Sequence, residues 1–395
     1  MNYRVIANLF LLLFLGVADN QAIAALLPSL VSSLDISVGA AGLLVTVYSL
    51  AAAGAAFVSG PLSDHYGRRR FLLAGVLGFA LASWLSARSH TFMELMLARA
   101  LTGLAAGTIS TCAVAFAGDW FAYAVRGRAI GLISSAYFAA PILGVPFATQ
   151  IADRFGWRRT FLCFAMLALG VACGSLTLPK EQVSSEPSSG KLRASAQAFR
   201  SFLVRRDTTA ALGIAFLASG GLVGFITYIG QWLNNQFGIA TRTIGWVFML
   251  GGLVAVAGAP LGGILSDRWG KRSVSIASNV LLALSVLLIP FMHWGIWLLG
   301  VFAGASLGAA FRQGPLTTLM TEMVPGAQRG AFIALRNICS QLGIGAVALA
   351  GGVLYQHHGY VAVTTLCAAM SALVAILLAT HIDEPKALNE GAQRL

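Results

Sequence analysis

Twelve stretches of this sequence stay apolar for about twenty residues each, and few folds can accommodate that pattern. They run Val5–Leu30, Val38–Ser59, Phe71–Ala87, Phe92–Phe116, Ala129–Ile151, Thr160–Leu178, Thr208–Gln236, Thr243–Leu265, Ser273–Met292, Gly295–Met320, Ala331–Tyr355 and Tyr360–Thr380. A helix of this length spans the roughly 30 Å hydrocarbon core of a bilayer at about 1.5 Å per residue. Composition points the same way. Only 10% of the residues are charged and 57% are hydrophobic, whereas a soluble domain carries roughly 25% charged residues. The expected fold class is an all-α integral membrane protein.

An internal repeat sets the organisation. The polar loop Gly60-Pro61-Leu62-Ser63-Asp64-His65-Tyr66-Gly67-Arg68-Arg69-Arg70 recurs as Gly263-Ile264-Leu265-Ser266-Asp267-Arg268-Trp269-Gly270-Lys271-Arg272, at an offset of 203 residues. The same offset carries Asp119 to Glu322 and Arg126-Gly127 to Arg329-Gly330. A repeat of half the chain means two homologous units. The sequence therefore predicts a six-helix bundle over 1–179, a linker over 180–207 and a second bundle with a short tail over 208–395. In the linker, Ser184, Ser185, Pro187, Ser188, Ser189 and Gly190 suit a flexible segment. Leu192, Ala196, Phe199 and Leu203 share one face among basic residues, as in an amphipathic helix on a membrane surface.

The net charge of +12 raises the question of a nucleic-acid partner, and placement answers it. Eighteen of the 26 Lys and Arg residues fall in the connections on one side of the spans and five on the other; Arg99, Arg312 and Arg336 lie within spans. That asymmetry is the positive-inside rule. It predicts both termini in the cytoplasm, a multi-pass protein of the inner (cytoplasmic) membrane, and no nucleic acid. Asp19 inside the first apolar run, with eleven spans after it, argues against a cleaved signal peptide. The five cysteines lie in spans without a CxxC spacing, and the histidines show no HExxH. No metal, cofactor or catalytic residue is expected. A GxxxxGK[ST] loop is also missing, which removes an ATP-driven pump from consideration.

Asp19 carries most functional weight. It lies about fourteen residues, roughly 21 Å, from the inner end of its span. An acid at that depth is retained for a partner, a proton or a water-filled cavity. Burial disfavours its charge and a neighbouring cation favours it, so a carboxylate between these effects can load and release a proton. Arg99 is the matching cation, since the two depths differ by only about 6 Å. Gly103 and Gly107 beside it form a small-residue face for close helix packing. Arg312, in Phe311-Arg312-Gln313, has no carboxylate in the interior of its own half. It predicts a net-positive cavity that favours an anionic or acceptor-rich substrate. Arg336 lies nearer the inner surface and is able to snorkel. Tyr137, Tyr228, Trp232, Trp246, Phe311, Gln313, Asn337 and Gln341 are candidate walls. The repeated loops supply a cytoplasmic gate of Gly60, Asp64, Gly67, Arg68, Asp119 and Arg126, echoed by Asp267, Gly270, Lys271, Glu322 and Arg329. Ala136, Ala140, Pro141, Gly144 and Pro146 predict a bent, closely packed helix.

These residues carry a family resemblance. Gly60-x-Leu62-Ser63-Asp64-x-x-Gly67-Arg68-Arg69 resembles the loop 2–3 signature of the major facilitator superfamily, with His65 where an Arg is usual. Asp19 with Pro28 resembles the helix 1 signature of its drug:proton antiporters. Leu97-x-Arg99-x3-Gly103 is similar to their motif B, whose Arg is implicated in proton transfer. Ala136-x3-Ala140-Pro141-x2-Gly144 is similar to the helix 5 antiporter motif, with alanines replacing two glycines. The resemblance implies the major facilitator fold, two pseudo-symmetric six-helix bundles, with alternating access and helices 1, 4, 7 and 10 around one cavity holding Asp19, Arg99 and Arg312. The expected function is a monomeric, proton-coupled exporter of a small amphipathic drug or metabolite. Its partners are that substrate, protons and the lipid bilayer. A proton symporter or facilitator for an organic anion, sugar or other metabolite is the alternative on the same scaffold.

Overall fold

The computed structural model describes residues 2–179, 199, 201–325 and 328–382. Six helices build the first half: α1 Tyr3–Leu34, α2 Val38–Tyr66, α3 Arg68–Arg88, α4 Phe92–Trp120, α5 and α6 Trp157–Ser175. Helix α5 is composite. It joins Tyr123–Ser134, Ala136–Ala139, the π-helical turn Ala140–Gly144 and Val145–Phe155. The second half contains α7 Arg206–Phe237, α8 Thr241–Trp269, α9 Lys271–Leu288 and α10 Ile296–Glu322. It ends in the 53-residue stretch Arg329–His381. At about 1.5 Å per residue that stretch would reach roughly 80 Å, far beyond one bilayer crossing. It breaks at Gly359, whose φ of 74° and ψ of −172° are not helical. The parts 329–358 and 360–381 are therefore α11 and α12. Twelve crossings result among the described residues, with no strand.

Short-range chemistry explains the helix ends. The Ser37 side chain accepts a hydrogen bond from the Ala40 N–H at 3.1 Å and opens α2. Thr91 and Glu94 form a reciprocal capping box at the start of α4, satisfying donors that the first turn leaves free. Large apolar side chains such as Leu97, Leu143 and Trp297 stay exposed on the bundle perimeter, where the bilayer is their solvent.

The repeat extends further in the backbone than in the side chains. Positive φ occurs at Asp35 and Gly238, at Gly67 and Gly270, and at Gly156 and Gly359, and each pair is 203 residues apart. Corresponding loops of the two halves turn through the same left-handed step.

Within the first half, Gly103 and Gly107 press α4 onto the α2 backbone at Tyr48 and Ala52. A Cβ on Gly107 would lie 2.5 Å from the Ala52 carbonyl oxygen, so the small-residue face packs as the sequence predicts. The halves meet at the end opposite the Gly60–Arg70 loop. There, α1 touches α7 through Ala24 and Gly230, α2 touches α11 around Gly42 and Ala348, and α5 touches α8 through Pro146 and Gly245. Ser29 shares a 3.0 Å hydroxyl hydrogen bond with Thr241. Thr46 donates to the Gly345 carbonyl at 3.0 Å.

Most of the expected linker helix lies outside the described residues. Two aromatic side chains of this segment turn toward the bundles rather than away from them. Phe199 lies 6.1 Å from the Phe57 ring of α2, and buried Phe202 packs edge-on against Phe332 of α11.

Candidate functional site

Two charged centres sit inside the bundle. The first joins α1 to α4: Arg99 Nη1 donates to Asp19 Oδ2 at 2.5 Å, and both side chains are fully buried. The Tyr48 ring lies 4.8 Å from the Arg99 guanidinium carbon, adding the attraction of an aromatic face for a cation. Tyr48 is held in turn by donating to the Gly16 carbonyl at 3.3 Å. Asp19 Oδ1, Arg99 Nε and Arg99 Nη2 find no hydrogen-bond partner among the described residues. Two ions withdrawn from water with one bond between them are weakly compensated, and losing one partner strands the other.

Helix α5 explains how this pair is enclosed. Pro141 removes a backbone donor, and the chain between Ala140 and Gly144 widens into a π-turn, a recognised response to such an interruption. Gly144 thereby reaches α1. A Cβ there would come within 2.5 Å of the Ala18 Cβ, one residue from Asp19. On its other side the turn meets α8, where Gly252 faces Pro141 and Ile142. Ala136 and Ala140 are buried. The π-turn thus contacts the helix of the buried acid.

The second centre belongs to a cavity of about 370 Å³ walled by α1, α5, α7, α8, α10 and α11. That volume suits a small organic molecule. Arg312 lies on its wall and is 4% exposed. Its Nη1 donates to Asn279 Oδ1 at 2.8 Å and its Nη2 to the Ala218 carbonyl at 2.7 Å. The Asn279 amide nitrogen donates to the Ser275 carbonyl at 2.7 Å, which fixes its oxygen toward Arg312. Neutral oxygens satisfy hydrogen bonds without cancelling charge. Arg336 lines the same cavity, and among the described residues no aspartate or glutamate does. The wall reaches Thr317, Met320 and Arg336, toward the end that carries the Gly60–Arg70 loop.

Several expectations change here. Asp19 and Arg99 are not on the cavity wall beside Arg312; close packing of α2 on α4 and of α5 on α1 closes their compartment. Of the candidate walls, Tyr137 and Gln313 line the cavity with Arg312. Tyr228 instead donates to the Ala348 carbonyl at the closed seam, and Trp232 stacks on Tyr360 at 5.2 Å. Phe311 packs by its backbone on Gly262. Trp246 lies at a separate surface groove beside α5. Asn337 and Gln341 miss the wall by one helical position, since Arg336, Ser340 and Ile344 occupy it. A one-residue step is about 100° of helix rotation. Gln21 and Asn279 were missed. Gln21 follows Asp19 by two positions and lines the cavity, and polarity within an apolar run was the available signal for both.

Loop charges pair within each half. Arg68 bonds Asp64 at 2.7 Å and Asp119 at 2.6 Å; Lys271 bonds Glu322 at 2.8 Å. Gly67 and Gly270 supply the left-handed step before each base, and Gly60 begins the last turns of α2, where its carbonyl accepts from Ser63. Arg126 donates to the Phe121 carbonyl at 3.2 Å rather than to Asp119. Asp267 and Arg329 are exposed and make no ion pair among the described residues.

Comparison with known proteins gives this arrangement its context. The profile of the Major Facilitator Superfamily matches residues 9–232 and 211–395. The MFS-type transporter YwfA of Bacillus subtilis is 29% identical over 92% of this chain and 88% of its own. The chloramphenicol resistance protein of Streptomyces lividans is 25% identical over 82% of each chain. Among solved structures, a D-xylose-proton symporter superposes with a TM-score of 0.78 at 17% identity, over 97% of this chain and 98% of that one.

Proposed function

The chain belongs to the Major Facilitator Superfamily and is a multi-pass membrane transporter, not an enzyme; we propose that it is a proton-coupled exporter of a small amphipathic drug or metabolite. The observation that carries this reading is the fully buried Asp19–Arg99 pair, held at 2.5 Å beside the π-turn of α5. Similarity to a protein named for chloramphenicol resistance supports export.

In this scheme the Gly60–Arg70 loop and both termini are cytoplasmic and the protein acts as a monomer in the inner membrane. Substrate enters the cavity from the cytoplasmic side, as the seam at the opposite end supports. The halves rock about that seam. A proton from outside neutralises Asp19 and weakens its bond to Arg99. This frees α1 from α4; because Ala18 packs on Gly144, α5 follows the movement of α1, and the α5–α8 contact carries the change to the second half. The return movement delivers the proton inside.

The test is transport in proteoliposomes with an imposed pH gradient. Asp19→Asn is expected to lose uphill accumulation while retaining exchange in the absence of a gradient. Uphill transport at wild-type speed by that variant would refute the coupling scheme. Since removing one partner of a buried pair costs about 3–5 kcal/mol, the double change Asp19→Asn with Arg99→Gln controls for folding. A symporter on the same scaffold would instead accumulate substrate in the direction of proton flow.

A further inference from the structure

We infer that the substrate of the cavity is a small organic anion, with its negative group held by Arg312 and Arg336 and its apolar body against the aromatic wall. The inference rests on the reading of this cavity as the transport site and adds the chemical class that the site selects.

Arg312 is the stronger of the two determinants. A buried guanidinium is normally retained beside a carboxylate, since an uncompensated charge in a low-dielectric interior is costly. Arg99 obeys that rule through Asp19. Arg312 does not: the described partners of its two terminal nitrogens are the Asn279 side-chain oxygen and the Ala218 carbonyl. Those bonds use two of the five guanidinium N–H groups and fix the plane of the group while leaving its charge intact. Asn279 differs from a neutralising aspartate only at its amide nitrogen, and that nitrogen is committed to the Ser275 carbonyl.

The cavity supplies the rest. Arg336 faces the same space from α11, and every other polar group on the wall is neutral, among them Gln21, Ser219, Gln313 and Ser340. Two cations with no acid make a positive potential that low-dielectric walls concentrate. Phe225, Phe248 and Phe302 also line the cavity and give part of its wall an apolar character, suited to a hydrocarbon or aromatic body. A cationic amphiphile would meet only repulsion here. An anion would bring the missing carboxylate-like partner.

Binding to the purified full-length protein tests this with three compounds of one shape: 3-phenylpropionate, 3-phenylpropanamide and 3-phenylpropylammonium. Ligand-observed NMR, without any ion gradient, reads their affinities. The propionate is expected to bind at least about tenfold tighter than the amide, with the ammonium weakest. Arg312→Gln should weaken the propionate by about 10- to 100-fold, the range for hydrogen bonds to a charged group, and weaken the amide, which offers only a neutral acceptor, several-fold less. Gln313→Glu and Ser219→Asp, which place an acid on the wall without removing Arg312, should narrow the affinity gap between propionate and ammonium by about tenfold or more. They keep the test decisive if Arg312→Gln does not fold. Equal binding of the three compounds, no binding of the propionate, or an unchanged gap between propionate and ammonium in the acidic variants would overturn the inference. These measurements contain no proton gradient, so their failure leaves the coupling scheme standing, and failure of the Asp19→Asn transport test leaves the anion preference standing.

Discussion

At the residue scale, two buried arginines show how one side chain serves opposite ends. Arg99 has a carboxylate at 2.5 Å and an aromatic face at 4.8 Å; Arg312 has neutral oxygens at 2.8 and 2.7 Å. The difference rests on Asn279, which makes a sharp experiment available. Asn279→Asp keeps the side-chain shape and gives Arg312 an acid of its own. Thermal stability is expected to change little, because the charge-assisted bond of about 1.5–3 kcal/mol that the new pair gains is offset by loss of the N–H donated to the Ser275 carbonyl. Affinity for the anionic probe is expected to fall about tenfold or more, since the positive field is then internally cancelled. Melting temperature and ligand binding measured on the same preparation would check both halves of the expectation. Asn279→Leu should differ, losing stability by about 1–3 kcal/mol because the Arg312 donor is stranded.

At the element scale, the turns between helices hold more of the repeat than the helices do. Gly156 and Gly359 have φ of 82° and 74° with extended ψ, a backbone region almost confined to glycine. Replacing either by alanine is expected to cost about 1–3 kcal/mol, visible as a lowered melting temperature in detergent. Asp35 and Gly238 occupy the left-handed helical region instead, at φ of 50° and 65°. Asp35→Gly should be neutral or mildly stabilising, whereas Gly238→Ala should cost about 1–2 kcal/mol. These equivalences were only partly legible in the sequence. The loop at Gly60 repeats nearly word for word, because charge, helix end and left-handed step all constrain it. Around Gly156 and Gly359 the flanking residues, Phe155 and Trp157 against His358 and Tyr360, share an aromatic ring but no identity. The twelve spans were legible because lipid demands long apolar helices whatever they pack against. The Asp19–Arg99 pair was legible because depth counted along two helices gave matching levels. The cavity wall was not, since depth says nothing about rotation. That is why Asn337 and Gln341 were expected where Arg336 and Ser340 stand.

At the scale of the whole molecule, the halves share a scaffold and divide the charge. Under the 203-residue offset, Asp19 and Arg99 correspond to Leu222 and Phe302, and Arg312 corresponds to Ile109. Symmetric packing therefore carries an electrically neutral pair in one half and a net positive site in the other. This division sets the charge moved per cycle. If one proton enters as one monovalent anion leaves, two positive equivalents move inward. At 100 mV that amounts to about 4.6 kcal/mol, or roughly a 2000-fold gradient, against about 2.3 kcal/mol and roughly fortyfold for a neutral substrate. A symporter carrying the same anion with one proton would move no net charge. Proteoliposomes loaded with potassium and treated with valinomycin separate these cases, because the potential is imposed with no pH difference. Efflux of 3-phenylpropionate is expected to accelerate when the interior is made negative and to slow when the sign is reversed. Indifference to the potential would mean electroneutral symport. In the proposed antiport, the potential would act on both the proton and the anion, in the direction that empties the cavity outward.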